Sequence, residues 1–82
     1  MYIKTFQNEY ELCEFHHYVN VVEDNVISVV ELLINSSMDK LTENEFTSIF
    51  IIEGEKQNSV FSGYSVDEFY EENGMTKIVL TK

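Results

Sequence analysis

Cys13, His16 and His17 are the residues whose types and spacing first suggest chemistry. On a helix, Cys13 and His16 would stand three apart on one side, close enough to share a metal ion or to pair a thiol with a base. A structural zinc site needs four ligands, and the chain holds one Cys and two His, so carboxylates would have to complete it. A thiol nucleophile would want an oxyanion hole or a glycine-rich turn beside it, and neither is visible. A cysteine on an amphipathic segment ordinarily packs as a small hydrophobe. The three scattered glycines cannot build a phosphate-cradling loop, and there is no EF-hand pattern. The sequence therefore predicts a non-enzymatic protein with no catalytic residue, metal or cofactor.

The carboxylates carry more. Fifteen Asp and Glu against five basic residues give a net charge of −10. The excess is divided evenly, −5 over residues 1–35 and −5 over 36–82, so it is no acidic tail. Such a charge repels nucleic acid and anionic membrane and attracts basic protein. The densest acidic stretch is Asp67, Glu68, Glu71 and Glu72, placed by local pattern on a short helix. A helix dipole favours Asp67 and Glu68 in the first turn and opposes Glu71 and Glu72 in the last. Capping accounts for the first pair only. These four residues are the candidate partner-binding patch; a merely solvated face is the plain alternative.

The elements that would position these groups follow from pattern. Tyr2 to Phe6 alternates and reads as an opening strand. Asn8 and Glu11 read as a capping box, followed by a helix with Leu12, Phe15 and Val19 on its buried face. Residues 21–34 are dense in β-branched side chains and read as a strand. The spacing of Val26, Val29, Val30 and Leu33 fits a helix as well. Asn35 to Asn44 reads as a polar loop. Phe46 to Glu53 reads as a central strand, residues 54–58 as a turn, and Ser59 to Tyr64 as the returning strand. Ser65 with Glu68 reads as a second capping box, Tyr64 with Phe69 as a hydrophobic staple, and Val66, Phe69 and Tyr70 as a helix face. Asn73-Gly74 suits a left-handed helix cap, with Met75 set to touch Tyr70. Thr76 to Thr81 closes the chain as a strand with Ile78 and Leu80 inward.

Together these predict one acidic domain over residues 1–82, of α+β class. It would hold an antiparallel sheet of four to five strands with one or two short helices. If 21–34 is helical, the order approaches the ferredoxin-like β-α-β-β-α-β arrangement. With 44% apolar and 13% aromatic residues, the chain has enough to fold.

No N-terminal apolar segment reads as a signal peptide, no run approaches a membrane span, and Cys13 has no partner for a disulfide. The expected compartment is the cytoplasm. Ala, Arg, Pro and Trp are absent while Asn, Ile, Phe and Tyr abound, a codon bias that points to an AT-rich genome such as that of a low-GC bacterium or its mobile elements.

The segment Asp67-Glu68-Phe69-Tyr70, followed by Met75-Thr76 and Ile78-Val79-Leu80-Thr81-Lys82, resembles the C-terminal end of small type II-A anti-CRISPR proteins. The resemblance spans residues 67–82 alone. Those inhibitors open on a helix, whereas this chain opens on a strand. It implies a compact acidic mimic of nucleic acid, of phage or mobile-element origin, that occupies the basic groove of a nuclease or DNA-binding protein. The alternative is a structural or accessory domain that self-associates, with the 46–53 strand or residues 26–34 at the subunit interface.

Overall fold

The computed structural model describes residues 1–55 and 57–82, with Gln57 described by its backbone alone. Its strands are β1 (Tyr2–Lys4), β2 (Glu9–Val22), β3 (Asn25–Ile34), β4 (Ser48–Glu53), β5 (Gln57–Ser62), β6 (Ser65–Glu72) and β7 (Met75–Thr81). They form one sheet in the order β5-β4-β1-β2-β3-β7-β6, antiparallel at every step. Among the described residues the only helical pieces are two 3-10 turns, Met38–Lys40 and Glu43–Thr47.

The expected α+β class with four to five strands is therefore overturned, and so is its ferredoxin-like alternative. Both segments expected to be helical are strands, and the reason is the same in each. Between Leu12 and Glu14 the register with β3 slips, leaving Cys13 as an extra residue. A second slip between Val66 and Glu68 leaves Asp67 extra in β6. A β-bulge adds one residue to a period of two, so inward residues on either side of it fall three apart. Leu12 and Phe15, like Val66 and Phe69, thereby acquire helical spacing while pointing to one face of a sheet. The apparent capping boxes at Asn8 and Ser65 head no helix. The acid of an actual capping arrangement is Glu45, in the stretch whose first part reads as loop.

Other expectations hold locally. The opening strand forms over Tyr2–Lys4, and β7 sets Ile78 and Leu80 inward with neither exposed; the single strand expected over 21–34 is instead broken by the turn at Glu23-Asp24, with 21–22 ending β2 and 25–34 forming β3. A β4–β5 hairpin stands where the 46–64 pattern placed one, although Phe46 belongs to a 3-10 turn. The turn expected over 54–58 includes Lys56, which lies outside the described residues.

Two tight turns supply much of the order. Glu72 and Met75 pair across Asn73 and Gly74 (φ 52° and 78°), and Val22 and Asn25 pair across Glu23 and Asp24 (φ 47° and 67°). Positive φ at both central residues is the type I′ geometry, whose twist matches that of the flanking strands.

One sheet face carries the core: Ile3, Leu12, Val30, Leu32, Ile34, Ile49, Ile51, Phe61, Ile78 and Leu80 are all buried. Among the described residues no second sheet or long helix covers it, so the sheet folds over itself. The bulge at Cys13 bends β2, whose first part pairs with β1 and whose remainder pairs with β3. Phe61 on β5 thereby reaches Phe15 and His17 on β2, with ring centroids 5.7 and 4.9 Å apart. The two edge strands, β5 and β6, are consecutive in the chain, joined by Gly63 (φ 75°) and Tyr64. Phe46 fills the remaining opening, 6.1 Å from the Tyr10 ring and 6.4 Å from that of Phe69.

Candidate functional site

Strand alternation decides which side chains can act together. On β2 the residues after the bulge divide into Phe15, His17, Val19 and Val21 inward, and Glu14, His16, Tyr18, Asn20 and Val22 outward. His16 and His17 thus lie on opposite faces, and the helical proximity of Cys13 to His16 does not exist. Cys13 Sγ sits 3.6 Å from Met75 Sδ. No group of three or more His, Cys, Asp or Glu able to hold a metal ion occurs among the described residues.

The four acids expected to share a helix face are distributed along edge strand β6. Asp67 occupies the bulge, while Glu68 and Glu72 point to the outer face. Glu71 pairs with the buried Thr76 and turns the other way, its Oε1 accepting the Met38 N–H at 2.8 Å. Glu71 thus ties the first 3-10 turn to the sheet. The acidic patch on a helix is corrected to an edge strand whose acids serve two faces.

The outer face regains acidity from strands that the sequence alone would not bring together. Across it, His16, Glu31, Val79 and Glu68 form one row, and Glu14, Leu33, Lys77 and Tyr70 form the next. Among the described residues, Glu14, Glu31, Glu68 and Glu72 therefore share this face with one cation, Lys77, whose Nζ is 3.3 Å from Glu31 Oε1. Glu31 is held below its ordinary carboxylate range, first by the neighbouring Tyr18 hydroxyl and then, against the opposing effect of burial, by Lys77. The reciprocal effect raises the Tyr18 hydroxyl, with Glu68 adding to it. Beside Lys77, a shallow depression of about 240 Å³ is lined by Glu14, Leu33, Tyr70, Glu72, Asn73 and Met75. The sequence signal for this face lay in the period-two spacing of Glu68, Tyr70 and Glu72.

Elsewhere the polar groups hold the fold. Glu45, 1% exposed, receives Thr5 Oγ1 (2.9 Å) and Tyr10 OH (2.7 Å) at Oε1, and the Thr42 N–H (2.9 Å) at Oε2. Burial pushes this carboxyl up, but the Thr42 amide and the Tyr10, Thr5 and Thr42 hydroxyls outweigh it, and the net shift is downward. Tyr10 is pushed up to about 12, first by burial and then by its bond to Glu45. Every lone pair that matters is committed, so Glu45 is a clamp between β1, β2 and the second 3-10 turn.

His17 Nε2 lies 3.1 Å from Ser28 Oγ, which is 2.7 Å from Tyr64 OH. The distances suit a hydroxyl activated by a base. Yet the Phe61 ring edge-packs against the imidazole, and Tyr64 competes for the same serine oxygen. The trio instead pins the β2–β3 hairpin to the corner at Tyr64.

Two apolar surfaces remain among the described residues. The outer face of β1, β4 and β5 presents Tyr2, Phe50 and Val60, each about half exposed, with Phe6 nearby. A groove of about 360 Å³ there is lined by Lys4, Thr5, Phe6, Ser48, Phe50, Ile52 and Asn58. The second surface is the far end of the β2–β3 hairpin, with Val19, Val21, Val22 and Val26 exposed. Among the described residues no helix is long and apolar enough to cross a membrane. No family model, curated protein or solved structure matches the chain.

Proposed function

We propose that this protein is a non-enzymatic acidic binding module of the cytoplasm that occupies a basic surface on a nuclease or DNA-binding protein, as an inhibitor or nucleic-acid mimic. The observation that carries the reading is the outer face of β2, β3, β7 and β6, where Glu14, Glu31, Glu68 and Glu72 converge around Lys77. Adjacent strands stand about 4.8 Å apart and alternate residues about 6.8 Å apart, so a sheet face displays charges on a rigid lattice. A rigid array loses little side-chain and backbone freedom when it docks, which favours binding by charge. The net charge of −10 adds long-range attraction for a basic groove and opposes direct contact with DNA.

The test is displacement. A panel of DNA-binding nucleases, each loaded with a labelled duplex, is titrated with the protein at low and high salt. The expected result is duplex release from at least one member, weakened by about tenfold or more on raising salt through the screening range. Replacing Glu68 and Glu72 by Lys should abolish release without unfolding the domain. Salt-independent release, or full activity of the Lys variant, would remove the proposal.

A further inference from the structure

The β2–β3 hairpin runs on past the strands that flank it. On one side β1 ends its pairing at Glu11, and beyond it Met1 accepts only the Leu12 N–H. On the other side β7 pairs as far as Val29, and Lys82 exchanges two backbone hydrogen bonds with Ser28. Beyond these points residues 18–22 and 25–27 form a two-stranded arm with both edges free.

Its inward face continues the core stripe of Phe15 and His17 through Val19, Val21 and Val26. The stripe outlasts the core: these three valines are 56, 70 and 69% exposed. Exposed edges are usually blunted by lysine, proline or inward-pointing charge. This arm has none, although fifteen acids are distributed over the chain. Residues 15–22 and 25–30 contain no Asp, Glu or Lys, and the arm's charges, Glu23 and Asp24, sit at its tip.

We infer that the inner face of this arm is a self-association surface, and that its occupant is the same face of a second copy of the chain, related by a two-fold axis. Each copy carries −10, so two copies meet against mutual repulsion and can do so only through a surface that is itself uncharged. A basic or acidic partner finds no ion to pair with on the valine face, whereas an uncharged valine face matches itself. An antiparallel crossing also sends the two Glu23-Asp24 tips to opposite ends of the contact. A two-fold contact of this kind closes after two copies.

Size sets the strength. The three valines expose on the order of 300 Å² per copy, and interfaces are about 60% apolar, so the pair would bury roughly 1,000 Å² in all. That is the lower bound for a specific interface, and the dimer is accordingly weak and concentration-dependent. No residue of the acidic outer face takes part, so this inference stands or falls separately from the proposed function.

Sedimentation equilibrium of the full chain from about 5 µM to 1 mM tests it, a range that brackets weak dimer constants. The expected result is a weight-average mass rising from 9.6 kDa toward twice that value, and a Val21→Lys, Val26→Lys variant that stays monomeric with its strand circular dichroism intact. Should the lysine variant fail to fold, Val21→Thr, Val26→Thr keeps the β-branched shape and should shift the equilibrium the same way by about tenfold. A wild type that is monomeric at the highest concentration overturns the inference. So does a dimer untouched by these changes but broken by Phe50→Lys and Val60→Lys, which would place the contact on the outer face of β1, β4 and β5.

Discussion

The Tyr10 hydroxyl donates a 2.7 Å hydrogen bond to Glu45 across 35 positions of sequence, and it joins the bent strand β2 to the 3-10 turn that closes the core. Its two ends titrate at opposite limits of pH, which makes the joint measurable.

On the acid side, Glu45 has its folded-state pKa below the unfolded value near 4.5. A lowered carboxylate contributes stability above that value and loses it as pH falls through the folded pKa. Urea midpoints should therefore drop as pH falls below about 4.5. Glu45→Gln should cost about 2 kcal/mol at neutral pH, since an amide cannot accept from both sets of donors, and should flatten the acid slope.

On the alkaline side, Tyr10 is raised from 10.0 to about 12. The stability it contributes is complete below pH 10 and is lost as pH rises toward 12, when the phenolate would meet Glu45. Tyr10→Phe should remove that alkaline loss and cost about 1 kcal/mol at pH 7. Fluorescence-monitored unfolding against pH reads both effects.

Glu23 and Asp24 both hold left-handed backbone conformations without being glycine. Type I′ turns prefer Asn then Gly at these places, so Glu23→Asn with Asp24→Gly should stabilise the hairpin by about 1 kcal/mol. Slower amide exchange at Val21 and Val26, with a higher unfolding midpoint, would show it. Unchanged exchange would mean that the arm is ordered by something other than its turn.

Phe61 is the meeting point of β5, β2 and the Tyr64 corner, with Phe15, His17 and Tyr64 rings 4.9 to 5.8 Å away. Phe61→Ala should cost about 3 kcal/mol or more through lost burial and the cavity left behind. Val60→Ala, one residue along on the exposed face, should change stability by less than about 0.5 kcal/mol. Equal losses at the two positions would contradict the folded-over sheet.

The acids of β6 separate by face. Glu71→Ala should destabilise by about 1 kcal/mol because the Met38 N–H loses its acceptor. Glu68→Gln and Glu72→Gln should leave stability within about 0.5 kcal/mol and slow association with a basic partner. Thermal unfolding of the three variants distinguishes the tether from the surface charges.

What the sequence shows well is whatever obeys a regular period. β7 alternates without interruption, and Ile78 and Leu80 could be assigned inward from pattern alone. The β4–β5 hairpin had the same clarity. The failures fall on β2 and β6, where one unpaired residue shifts the phase and a strand takes on the spacing of a helix. Local capping patterns at Asn8 and Ser65 then agreed with the wrong element, because Ser or Asn followed by Glu also occurs in strands. Apart from the period-two spacing of Glu68 and Glu72, the acidic face was hidden for a different reason. Its members, Glu14, Glu31, Glu68 and Glu72, come from three strands, and only the register of β3 and β7 brings them onto one surface.

The extra residue at Cys13 has a consequence for which changes this chain can absorb. Its side chain is exposed and bonded to nothing that the core needs, so replacement by Ser or Ala should pass almost unnoticed. Removal is another matter. With one residue fewer, the turn at Glu23-Asp24 would keep Glu14 to Val22 in register with β3, and Glu9 to Leu12 would exchange sides instead, turning Leu12 toward water and Glu11 toward the core. The position is indifferent to the letter written there and intolerant of its deletion: it is kept as a count.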